Sequence, residues 1–162
     1  MIHIEQHKIS VGSWSDYQDA IRREPRPFRA IVNVSELAPT FGTSGVSLYW
    51  YPINELSRWG YGPFYWAKRV LDFHAGRGDS ILTHCKAGAH RSPMIVFTWL
   101  LSIGVDATVI NEWMGDDFAD LYRSDVRRGT IPGDLDRLYE LMRDTQIGLT
   151  DCLEEMKKHR AH

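Results

Sequence analysis

Apolar residues fall along this chain in short runs of strand length and in longer stretches at helical spacing, and the two kinds alternate through the first hundred positions. Residues 8–12 (Lys8-Ile9-Ser10-Val11-Gly12) alternate and stop on glycine, which predicts a strand. Ser13 or Ser15 can cap a helix that carries Trp14, Tyr17, Ala20 and Ile21 on one face, and Pro25 and Pro27 end it. Residues 28–34 are β-branched and apolar, an interior strand. A Gly-, Ser-, Thr- and Pro-rich loop over 35–45 leads to a third strand over 46–51, and a second loop over 52–63 follows. Phe64, Ala67, Val70 and Leu71 predict a helix over 64–74, closed by Gly76 and Gly78. Ile81-Leu82-Thr83 is a further strand. Residues 92–103 are apolar nearly all round, so that helix should be buried on most sides, with Gly104 stopping it. Asp106 can cap a helix bearing Val109, Ile110, Trp113 and Met114. Pro132-Gly133-Asp134 opens another with Leu135, Leu138, Leu141 and Met142, and a polar helix closes the chain over 149–158.

Strands that alternate with helices, followed by helices alone, predict an α/β fold. The expected architecture is a single domain over 1–162, with a central, mostly parallel sheet of four to five strands and helices on both faces. The length of 162 residues and the balance of 43% apolar to 25% charged residues suit one soluble globular core. Ligands of such sheets bind beyond the carboxyl ends of the strands. The net charge of −2 supplies no global field for nucleic acid or a membrane surface, so neither is an expected partner and any anion attraction must be local. Cys85 and Cys152 are the two cysteines, and no paired Cys/His spacing suggests zinc. No metal or cofactor is expected. A Cys85–Cys152 disulfide would quench a reactive thiol. The first residues lack the regions of a signal peptide, and the longest apolar-rich run, 94–105, is too short to span a bilayer. These features point to a reducing cytoplasm.

The chemistry concentrates in residues 80–92, Ser-Ile-Leu-Thr-His-Cys-Lys-Ala-Gly-Ala-His-Arg-Ser. Cys85 leaves a strand on a loop that climbs into the N-terminus of the apolar helix. Helix N-termini present unpaired N–H groups and partial positive charge, and successive loop amides can close around an anion. The same field favours thiolate over thiol, which makes Cys85 a candidate nucleophile. Gly88 permits a turn that a side chain would hinder. Arg91 can grip two phosphate oxygens with its planar fork. Pro93 is tolerated in the first helical turn, where N–H groups are spare.

His84-Cys85-x-x-Gly88-x-x-Arg91-Ser92 resembles the signature loop of the cysteine-based protein tyrosine phosphatases. The Ser92-Pro93 ending and the short chain are similar to the dual-specificity branch. Lys86-Ala87-Gly88 also resembles the loop of the phosphoinositide-phosphatase and cell-cycle-phosphatase branches. Residues 9–13, 32–35 and the stretch Arg128-Gly129-Thr130-Ile131-Pro132 with Leu135 and Leu138 look like further family segments in the family's order. The resemblance implies a tyrosine-phosphatase-like fold and metal-independent hydrolysis of phosphate monoesters through a phosphocysteine. The substrate would be a phosphorylated protein or a small phosphoester. Cys85 attacks, and residues 86–91 (Lys86, Ala87, Gly88, Ala89, His90 and Arg91) bind the phosphate oxygens. His84 supports the thiolate from beneath, and Ser92 eases its expulsion in the second step. Lys86 and His90 are either added charge for a polyanionic substrate or a solvated rim.

The family usually takes its general acid, an Asp, from a loop about thirty residues before the cysteine. Here that loop reads Pro52-Ile53-Asn54-Glu55, and no Asp lies between Tyr49 and Lys68. Glu55 is the candidate acid, with Asp116 or Asp117 as substitutes. Trp59 and Tyr61, beside glycines, are candidate walls of a substrate pocket. Other readings are a phosphate-binding pseudophosphatase without turnover, an enzyme acting on RNA 5′ ends or phosphoinositides, and rhodanese-type sulfur transfer. The spacing of Gly88 and Arg91 after His84 fits phosphate better than the last.

Overall fold

A computed structural model of the chain describes residues 1–39, 45–144 and 146–160. Five strands, β1 (Ile2–Ile4), β2 (Ile9–Gly12), β3 (Ala30–Asn33), β4 (Ser47–Trp50) and β5 (Ile81–His84), form one sheet in the order β1-β2-β5-β3-β4. Only β1 runs antiparallel. The strand that leads to Cys85 is therefore the middle one, held on one side by β2 and on the other by β3. Its register aligns Leu82 with Ser10 and Ile31, and His84 with Gly12 and Asn33. All three inner strands thus end level with one another, at the edge where ligands of parallel sheets bind.

Among the described residues, seven α-helices surround the sheet: α1 (Trp14–Arg22), α2 (Tyr61–Gly76), α3 (Arg91–Ser102), α4 (Ala107–Met114), α5 (Phe118–Arg127), α6 (Leu135–Leu141) and α7 (Leu149–Arg160). Strand alternation divides the apolar residues between two faces. Ile31 and Leu82 meet Tyr17, Ala20 and Phe28 in a small core beneath α1. Ile9, Val11, Ala30, Val32 and Ile81 point the other way, into the main core with α2, α3 and the helices that follow. Every residue from Arg91 to Leu100 in α3 is buried, as its continuous apolar sequence demands. No helix among the described residues is long and apolar enough to cross a membrane.

The α/β class, the mostly parallel sheet and the helices on both faces agree with the sequence. Two elements were not expected. β1 is three residues long and pairs only along one side, too short to give an alternating pattern. α5 occupies a stretch so rich in charge (Asp116, Asp117, Asp120, Arg123, Asp125, Arg127) that its apolar stripe is thin. α2 begins three residues before the expected start, with Pro63 inside its first turn, where a missing N–H does no harm. The loop expected over 35–45 lies partly outside the described residues, which omit 40–44.

Candidate active site

β5 ends at His84, and the chain turns through residues 85–90 into α3. The turn is braced from behind by the junction of β2 and α1. The Gly12 carbonyl accepts from the Cys85 N–H at 3.3 Å and from the Ser92 hydroxyl at 3.2 Å. The Trp14 N–H donates to the Lys86 carbonyl at 3.0 Å. Ser13 fixes that junction by capping α1: its hydroxyl accepts from the Asp16 N–H, and the Asp16 carboxylate accepts from the Ser13 N–H. Gly88 has φ +76° and lies flat against this brace. A Cβ there would sit 2.9 Å from the Gly12 carbonyl carbon and 3.0 Å from the Ser13 nitrogen. Glycine is required at this position both by conformation and by contact.

Cys85 is 1% exposed at the base of the turn. The Gly88 N–H donates to its Sγ at 3.2 Å, and the Ser92 Oγ lies 3.3 Å from Sγ. Cys85 and Cys152 are both free thiols. His84 lies beneath, wholly buried, with Nδ1 3.4 Å from the Cys85 carbonyl oxygen and its ring stacked on Tyr17 at 4.6 Å. Burial pushes its pKa down to about 4, against weaker opposing effects of the Cys85 carbonyl and Asp16. His84 is therefore a neutral imidazole at neutral pH.

Lys86, Ala87 and Ala89 are exposed, whereas Gly88 and His90 are half-buried. Arg91 is 4% exposed. Its Nη1 donates to the Ile53 carbonyl at 2.9 Å and to the Glu36 carboxylate, and its Nε lies 2.7 Å from Glu55 Oε2 without hydrogen-bond alignment. The Arg91 guanidinium holds Glu36 below the usual carboxylate range. Glu55, the candidate acid, thus reaches the loop: one carboxylate oxygen approaches Arg91 and the other pairs with His90 Nδ1. Asp116 and Asp117 stay at the junction of α4 and α5. Asp117 there accepts from the Asp120 N–H and from Asn111.

His90 is not a solvated rim residue. Its Nε2 lies 2.6 Å from Asp125 Oδ2, and its ring sits 4.8 Å from Trp59. Burial pulls its pKa down, but the Asp125 and Glu55 carboxylates outweigh burial and hold it above the ordinary value. Trp59 is 3% exposed and Tyr61 donates to Asp134 at 2.6 Å, so neither forms an open pocket wall. Glu36 and Asp125 were not anticipated from sequence. Asp125 stands on the face of α5 shared with Phe118 and Tyr122, and an acid in an apolar stripe is the signal that would have found it.

No family model matches the chain, and no curated protein matches it. Solved structures do. The chain is similar to DUSP15, with a TM-score of 0.59 and 15% identity over 83% of this chain and 91% of that one. It is similar to OH1 from the Orf virus, a tyrosine phosphatase with triple substrate specificity, with a TM-score of 0.56 and 17% identity over 88% and 84%. Human DUSP28 aligns over 91% of this chain and all of its own, with a TM-score of 0.54 and 15% identity. At such identities the likeness is one of architecture alone. The chain has the fold of the dual-specificity and related cysteine-based tyrosine phosphatases.

Proposed function

We propose that the chain is a metal-independent, cytoplasmic phosphatase that hydrolyses phosphate monoesters, those of tyrosine, serine or threonine in proteins among them, through a phosphocysteine on Cys85. One observation carries this reading: the Gly88 N–H points at the Cys85 sulfur from a loop that runs into α3 with Arg91 at its head. In the first step the Cys85 thiolate attacks phosphorus, and the bond to the leaving oxygen breaks. The amides of residues 86–91 and the Arg91 guanidinium meet the charge on the equatorial oxygens. Glu55 protonates the leaving oxygen. In the second step water attacks, the S–P bond breaks, and the water proton returns to Glu55.

Ser92 has a defined part in this cycle. Its hydroxyl carries one proton and stands between two acceptors, the Cys85 sulfur and the Gly12 carbonyl. When the sulfur is a thiol, Ser92 donates to Gly12. When the sulfur leaves phosphorus as thiolate, the hydroxyl turns and donates to it. His84, neutral and buried, shapes the loop from below and takes no part in proton transfer.

The test is turnover of an aryl phosphate by the reduced protein, with Cys85→Ser as control. The expected result is steady hydrolysis, abolished by the substitution, with phosphate trapped on Cys85 in rapid acid quench. A second reading, a phosphate-binding module without turnover, draws on the engagement of both Glu55 oxygens by His90 and Arg91. Phosphate binding with no hydrolysis of any aryl ester decides for it.

A further inference from the structure

We propose that His90 is the proton reservoir of this site, held between Asp125 and Glu55 so that Glu55 is supplied with the proton it gives to the leaving group. The inference rests on the phosphatase reading and names a positioning residue and its support. Three separate segments build the arrangement. Glu55 comes from the loop after β4, His90 from the cysteine loop and Asp125 from α5. His90 Nδ1 pairs with Glu55 Oε1, and Nε2 lies 2.6 Å from Asp125 Oδ2. The segments are tied by backbone: the Asp125 carbonyl accepts from the Thr130 and Ile131 N–H groups, and the Thr130 carbonyl accepts from the Trp59 N–H at 2.8 Å. The Trp59 ring then closes over the imidazole.

The Asp125 side chain is 4% exposed, and an ionised carboxylate so buried requires a charged or strongly donating partner. His90 Nε2–H is that partner. With Asp125 on one nitrogen and Glu55 on the other, both ring nitrogens face acceptors, and only the imidazolium can donate to both. Arg91, beside Glu55, is the other charge facing the pair, and the Trp59 ring contributes none. Glu55 lies between His90 and Arg91, with one carboxylate oxygen on each. Coupled to His90 it becomes a conduit. As the P–O bond breaks, the Nδ1 proton passes to Glu55 Oε1 and on to the leaving oxygen, leaving His90 neutral and still donating to Asp125. When water attacks the phosphocysteine, its proton passes through Glu55 back to Nδ1. The cycle returns every proton it uses.

The experiment compares wild type, His90→Gln and Asp125→Asn on an aryl phosphate with a good leaving group and an alkyl phosphate with a poor one, across pH. In wild type the basic limb of kcat/KM should fall above the ordinary histidine range. His90→Gln should cost the alkyl ester about a hundredfold, the scale of general acid catalysis, and the aryl ester far less, so the ratio between them rises. Asp125→Asn should move the basic limb down by about one unit, the scale on which a nearby carboxylate shifts a histidine. A merely structural role lowers both esters together and leaves the limb in place, and that result overturns the proposal. Asp125 is buried and its variant must be shown folded. Titration of the His90 ring by NMR in the wild-type protein needs no variant, and an ordinary or lowered pKa there also overturns it. If wild type hydrolyses neither ester, the phosphatase reading itself has failed; if it hydrolyses both and the variants change neither ratio nor profile, the reservoir alone has failed.

Discussion

Two histidines, six positions apart at the two ends of the cysteine loop, have opposite fates. His84 lies beneath the cysteine, sealed against Tyr17 and Trp14, with no buried acceptor or carboxylate on Nε2. Burial makes it neutral, with a pKa near 4. His90 is half-buried between two carboxylates, which raise its pKa above the ordinary value against the effect of burial. The same side chain is a neutral wedge below the loop and a bridge between two carboxylates above it. The difference teaches that neighbours, and not residue type, decide the direction in which a histidine's pKa moves in this site.

The largest expected effect that sharpens this contrast is on stability in acid. The unfolded chain protonates His84 near 6.5, and the folded chain resists until about 4, so stability present above that window is lost as pH falls through it. The drop from 6.5 to about 4 corresponds to about 3 kcal/mol. His90 works in the other direction: its contribution is complete below the ordinary histidine pKa and is lost as pH rises through the raised folded value. Denaturant melts between pH 7 and 4 should show His84→Gln flattening the acid side of the curve relative to wild type; an unchanged slope would refute the buried neutral state.

Next in size is Gly88→Ala, which breaks the packing of the loop between the two histidines against Gly12 and Ser13. A Cβ at φ +76° and 2.9 Å from the Gly12 backbone strains the loop by about 1–3 kcal/mol. Displacing the reacting groups by about an ångström should also lower aryl phosphate turnover about a hundredfold. Full activity with unchanged stability would show that the loop tolerates a side chain there. The smallest effect belongs to the rim. Glu36 is half-exposed and pairs with Arg91 in reach of solvent. Glu36→Gln should tighten inorganic phosphate, measured as a competitive inhibitor, by no more than about fivefold.

Much of this was legible before any coordinates. A strand-length apolar run, a cysteine, a mid-loop glycine and an arginine at the head of an all-apolar helix locate the site because each residue type is needed locally. The capping of α1 by Ser13 and the start of α4 at Asp106 follow from the same local rules. What escaped was non-local. Nothing in the sequence around Asp125 states that it faces His90, since that contact depends on how α5 docks. Glu55 was a candidate by loop position, but its engagement with His90 and Arg91 is a tertiary fact. Trp59 looked like a pocket wall beside a flexible glycine and is instead buried against His90 and Phe64.

The Gly12 carbonyl receives both the Cys85 amide and the Ser92 hydroxyl, the latter from 80 positions away. Closing a loop of that span costs more chain entropy than forming any local helix turn. A nascent chain on the ribosome, or one partly melted by heat, therefore carries Cys85 as an unremarkable thiol with no cradle around it. The reactivity proposed for Cys85 therefore depends on the long-range pairing of β2 with β5, and an unfinished molecule would lack it.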